Sequence, residues 1–140
     1  MVYLHASVPH SPFIWDDERK SFTLTGRNKS KEGYFNNIRL ADRLLGKIRR
    51  AMELRGTWDE STVLITSDHG WRLANSHGYP RLRKIPFVLK MPGQRNNLDY
   101  TSDFAPMRLT KSLLLEIQRG TIKDSVGVAE WINKRRPNAR

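Results

Sequence analysis

At 140 residues, 38% hydrophobic and 28% charged, the chain is long enough to bury one domain's core and has the ordinary composition of a globular protein. It has no cysteine, which excludes disulfides, thiolate zinc sites and a cysteine nucleophile within these residues and leaves the compartment open. No apolar run approaches the ~18 residues a membrane span needs, and the residues after Met1 lack the pattern of a signal peptide. The net charge of +11 favours polyanionic partners: nucleic acid, anionic lipid, or sulfated and phosphorylated substrates. The basic residues are spread through "KIRRAMELR", "RLRK" and "NKRRPNAR", which is also how a solvated basic face is written.

In chain order, "MVYLHASV" reads as a strand and "PHSPFIWDDERK" as a proline-punctuated loop, followed by an exposed polar connection through "TGRNKSKEG". From Gly33 to Arg55 the spacing predicts a helix. Tyr34, Ile38, Ala41, Leu45, Ile48 and Met52 form its apolar stripe, charged residues take the other side, and Gly56 is the stop. "TVLIT" is β-branched and apolar throughout, as in an interior parallel strand, and runs into Ser-Asp-His-Gly at 67–70. An irregular stretch leads to "KIPFVLKMPG", a second buried strand ended by Pro92-Gly93. "SDFAPMRLTKSLLLEIQRG" predicts a helix capped by Ser102 or Asp103 and ended by Gly120. "SVGVAEWINK" predicts a last short helix before a frayed basic tail. The order is that of an α/β protein with a mainly parallel sheet flanked by helices. In such sheets chemistry collects beyond the carboxyl ends of the strands, where "HASVPH" and "SDHG" are expected to lie.

Several residues there can do chemistry. Asp68 and His69 offer a carboxylate oxygen and an imidazole nitrogen to one divalent cation, with Gly70 allowing a sharp turn. The plainer reading is a capping Asp beside an exposed His. His10, stiffened between Pro9 and Pro12, suits a general acid or base, or simply packs against its neighbours. His5 reads as a core histidine or a supporting partner. His77 lies in a connection with no helix or strand to fix its spacing. Arg81, Arg83 and Lys84 place positive charge that would meet an anionic substrate or merely face solvent.

Taken in order, these segments resemble the C-terminal half of the catalytic domain of sulfatases, within the alkaline phosphatase superfamily. "VYLHASVPHSPF" is similar to the family's strand and Pro-His-x-Pro loop. "GYFNNIRLADRLLGKIRRAMELRGTWDESTVLITSDHG" is similar to its long helix, here with Tyr34, Asp42 and Gly46, followed by a strand into Ser-Asp-His-Gly. "KIPFVLKMPG" and "SDFAPMRLTKSLLLEI", the latter with Asp103 and Pro106, resemble the two segments that follow.

The resemblance implies that Asp68 and His69 are metal ligands and that His10 contacts the ester and protonates its leaving oxygen. It places His77 beside the substrate's anionic group and gives Lys84 a structural or electrostatic role. It also implies a partial alkaline-phosphatase-like fold over residues 1–140, read as one domain. The expected cofactor is a divalent cation, calcium first, with manganese or zinc in other branches. The expected partner is a sulfate or phosphate ester. The family's nucleophile motif and first-strand acidic ligands have no counterpart here, and Trp71 stands where an acid is commoner. The expectation is therefore a segment of a metal-dependent ester hydrolase, inactive alone and awaiting the missing N-terminal part of the domain. The rival is a basic α/β module that binds nucleic acid without catalysis. Against it, the cationic helix face lacks interleaved aromatics and no nucleic-acid motif occurs.

Overall fold

The structure is a computed structural model that describes residues 1–23, 30–79, 85–97 and 106–135. It divides into two compact units: Met1–Arg55 with Leu73–Tyr79, and Gly56–Arg72 with Pro80–Arg140.

In the first unit, residues 1–7 form neither helix nor strand, and Met1 to Leu4 are exposed. The expected first strand is not formed. A strand needs a partner for its backbone N–H and C=O groups, and none pairs with this segment among the described residues. His5 is accordingly exposed rather than in a core.

The proline-punctuated stretch instead contains a small hairpin, β1 (Trp15–Asp16) with β2 (Ser21–Phe22), in register Trp15↔Phe22 and Asp16↔Ser21. Its turn is organised by Asp16, whose Oδ1 accepts the backbone N–H groups of Glu18 and Arg19, both at 3.1 Å, as Asp does in turns. Lys20 closes the turn at φ 51, the left-handed region. The cross-strand rings of Trp15 and Phe22 meet edge to face at 5.4 Å.

Helix α1 spans Lys31–Leu54, two residues earlier at its start than the apolar spacing suggested. Ser30 caps it, its Oγ accepting the Gly33 N–H at 3.0 Å, and Gly56 follows its end at φ 68. Its most buried residues are not the apolar stripe but Gly33, Asn36 and Asn37. Ile38 and Leu45 keep 37% of their surface exposed, so the stripe expected to seal a core is only half covered. Tyr34 packs edge to face against Phe13 at 6.0 Å, and burial raises its phenol above the usual pKa.

The second unit holds β3 (Val63–Thr66) and β4 (Phe87–Lys90), paired antiparallel from Val63↔Lys90 to Thr66↔Phe87. The expected parallel sheet is therefore corrected for the described residues, where both strand pairs are antiparallel. A parallel pair needs a crossover, usually an α-helix, and the described part of the connection between β3 and β4 supplies none. Both strands are part-buried rather than interior, with Val88 57% exposed. The ammonium of Lys90 donates to the carbonyls of Trp58, Asp59 and Ser61 and lies 5.2 Å from the Trp58 ring, clasping the turn that feeds β3. Gly93, at φ 64, donates its N–H to the Asp59 carbonyl at 2.8 Å.

Helices α2 (Pro106–Gln118) and α3 (Ser125–Asn133) complete this unit. The caps proposed for α2, Ser102 and Asp103, lie outside the described residues. Asp124 caps α3 by accepting the Gly127 N–H at 2.8 Å, an interaction whose loss costs ~1 kcal/mol. Met91, Leu113, Ile122, Val128, Trp131 and Ile132 form the core, with Phe87, Leu89, Leu109 and Ile117 packed against it. The described architecture is thus α/β, with short antiparallel strand pairs and three α-helices.

Candidate functional site

Asp68 and His69 lie two and three residues past the end of β3, in one turn that begins at Ser67. Ser67 closes that turn by donating its hydroxyl to the His69 carbonyl at 2.8 Å. The His69 Nδ1 lies 2.7 Å from the Gly70 carbonyl oxygen. A carbonyl only accepts, so Nδ1 carries the proton and the neutral ring's lone pair sits on Nε2. That Nε2 lies 3.9 Å from Asp68 Oδ2, with the Asp68 side chain 79% exposed and that of His69 33% exposed.

The carboxylate oxygen and the lone-pair nitrogen therefore converge. Gly70 contributes its carbonyl to this turn.

The pair matches a divalent cation in the chemistry of its donors. A metal-binding histidine characteristically donates its second ring N–H to a backbone carbonyl or carboxylate, which is what His69 does to Gly70. The number of donors is smaller than a stable site uses. Among the described residues no group of three or more His, Cys, Asp or Glu side chains comes together.

His10 and His77 belong to the first unit. The His10 backbone N–H donates to the Ser7 carbonyl at 2.9 Å, and its Nδ1 lies 2.6 Å from the Ser11 carbonyl oxygen. By the same reasoning Nδ1 is protonated and the outward chemistry falls to Nε2. The residue is exposed. His77 is part-buried and, contrary to the irregular connection expected, ends a single 3-10 turn, Asn75–His77, closed by Gly78 at φ 77. Its N–H donates to the Ala74 carbonyl at 3.0 Å, so local structure does fix its place. Arg81, Arg83 and Lys84 lie outside the described residues.

Two residues that the motif reading passed over shape this region. Asn37 is fully buried and binds the backbone around His10 and Trp15. Asp17 accepts from the Trp15 indole N–H at 3.0 Å and pairs with Lys20 at 3.1 Å and Arg43 at 3.2 Å. The indole hydrogen bond is the largest influence holding its carboxyl down to about 2, with the Lys20 and Arg43 charges acting in the same direction. The signal available in the sequence was the run of adjacent polar residues in "FNNIR", at a place where an amphipathic helix turns toward its core.

No curated protein and no solved structure matches the chain. The sequence model described as Sulfatase matches residues 1–114, which take in the Pro-His-x-Pro loop, α1, the Ser-Asp-His-Gly turn and much of α2. By that match over most of its length, this chain belongs to the sulfatase family of hydrolases.

Proposed function

We propose that the chain carries the part of a metal-dependent sulfuric or phosphoric ester hydrolase in which Asp68 and His69 are two of the cation's ligands and His10 and His77 act on the ester. The observation that carries this reading is the Ser-Asp-His-Gly turn. Its imidazole is oriented by the Gly70 carbonyl so that Nε2 and the Asp68 carboxylate converge. When bound, the cation would polarise the ester and lower the pKa of the attacking group. His10, with Nδ1–H engaged by the Ser11 carbonyl, presents Nε2 as the atom that would carry a proton to the departing oxygen. His77 supplies a donor for the anionic group. The surplus of basic residues draws polyanionic esters toward the protein. Family membership makes metal dependence the general expectation; calcium is the first candidate, with manganese and zinc next.

With two protein donors and no counterpart of the family's nucleophile motif, residues 1–140 alone should bind the cation weakly and turn over little or no ester. Titration with calcium, manganese and zinc, read by calorimetry and by melting temperature, should give dissociation constants of ~10⁻⁴ M or weaker. The response should disappear in Asp68→Ala and His69→Ala. Equal metal responses in wild type and Asp68→Ala would remove the assignment. Hydrolysis of an aryl sulfate or aryl phosphate by the chain alone, lost in Asp68→Ala, would show that these residues already suffice. Salt-dependent binding of random DNA that ignores both substitutions, without any metal response, would favour a polyanion-binding module instead.

A further inference from the structure

The loop that bears His10 has no strand behind it: residues 1–7 are irregular and His10 itself is exposed. Something other than a sheet must hold that histidine in one place. Among the described residues, the side chain of Asn37 binds the backbone of this loop at four points.

Asn37, on the second turn of α1, is 0% exposed, and all of its amide's polar atoms are used. Its Oδ1 accepts the backbone N–H groups of Ile14 at 3.2 Å and Trp15 at 3.3 Å. Its Nδ2 donates to the backbone carbonyls of His10 at 3.1 Å and Pro12 at 3.4 Å. One amide thus ties the Pro-His-x-Pro turn and the residues that follow it to the helix. The oxygen holds the hairpin side and the nitrogen holds the histidine side. An amide is the only side-chain type that offers an acceptor and two donors in this compact, planar form. Aspartate keeps the first half and loses the second, while leucine keeps neither.

The geometry points to Asn37 as the positioning residue for His10. By gripping the His10 carbonyl, it sets the backbone from which the imidazole reaches the Ser11 carbonyl, and so fixes which ring nitrogen faces outward. Asn37 acts through His10 and is not placed against substrate. Its catalytic meaning rests on the reading of His10 as the proton donor; the positioning itself does not.

Nitrogen-15 NMR of the His10 ring reads the tautomer directly, with no need for activity. In the wild-type chain His10 should be in the Nδ1–H form when neutral, and the Asn37 side-chain NH₂ protons should be protected from exchange. In Asn37→Asp, which retains the acceptor, the Ile14 and Trp15 amides should stay protected while the His10 ring becomes a mixture of tautomers. In Asn37→Ala both halves should be released, with the Ile14 and Trp15 amides exchanging ~10-fold faster, the effect of losing about one hydrogen bond. The α1 amides from Leu40 onward should be unmoved in Asn37→Asp.

An unchanged His10 tautomer in Asn37→Asp would overturn the proposal. So would rapid exchange of the Asn37 NH₂ protons in the wild type, a measurement that needs no variant to fold. A His10 substitution that leaves turnover intact in a metal-loaded, complete enzyme would defeat the catalytic reading and leave these spectroscopic results standing.

Discussion

In the second unit the residues most completely withdrawn from solvent are Met91, Leu113, Val128 and Ile132, all apolar; in the first it is Asn37, with Asn36, Asp16 and Phe13 close behind. The second unit coheres because helices α2 and α3 and strand β4 remove hydrocarbon from water, an interaction that is strong and indifferent to direction. The first unit surrounds Phe13 and Trp15 with hydrogen bonds that work only at particular angles. Non-directional burial stabilises a fold, whereas directional bonds specify where a loop lies. The first unit spends its interior on the loop that presents His10.

Removing hydrocarbon from one interior and hydrogen bonds from the other should affect the two units differently. The largest effect is expected in the apolar core: Leu113→Ala should destabilise the second unit by about 3 kcal/mol, the usual consequence of deleting a fully buried leucine side chain. Chemical denaturation followed by amide signals from α2 and α3 measures it. A change under 1 kcal/mol would mean the cluster is loosely packed.

Next comes Asn37→Leu, which adds apolar surface at a buried position and should nonetheless destabilise the first unit by about 2 kcal/mol. The Ile14 and Trp15 N–H groups would lose their acceptor without regaining water. A neutral or stabilising outcome would show that the first unit, too, is held chiefly by hydrocarbon.

The smallest effect concerns Asp17. Its folded carboxyl titrates at about 2, below the ordinary 3.8, so the ionised form is the one the fold favours. The stabilisation is fully present above the unfolded value and is lost as pH falls from 3.8 toward 2. Amide signals from Trp15 and Phe22 should therefore show the hairpin loosening over that window in the wild type. In Asp17→Asn that component should be missing. Because Lys20, Arg39 and Arg43 are all substantially exposed, added salt should shrink the difference.

Much of the molecule was legible from neighbouring residues. The long helix, its Gly56 stop, the strand before Ser-Asp-His-Gly, the strand before Pro92-Gly93 and the two later helices all appear close to where spacing and turn chemistry placed them. Asp68 and His69 were readable for the same reason, since adjacent residues after a strand must share a turn. The hairpin was missed because its strands are two residues each, too short for any periodicity, although "WDD" before a polar run is the Asp-led turn signal. "MVYLHASV" has the composition of a strand, but composition cannot supply the pairing partner.

The sequence by itself therefore determined the three helices, the adjacency of Asp68 and His69 after β3 and, through the order of its motifs, the family. These depend on contacts a few residues apart, which patterning records. Only the tertiary structure decided that β3 and β4 run antiparallel and that Asn37 grips the His10 loop. The Asn37 hydrogen bonds join residues 22 to 27 positions apart, where the partner is chosen by how the chain returns in space and by which polar groups burial would otherwise leave unsatisfied.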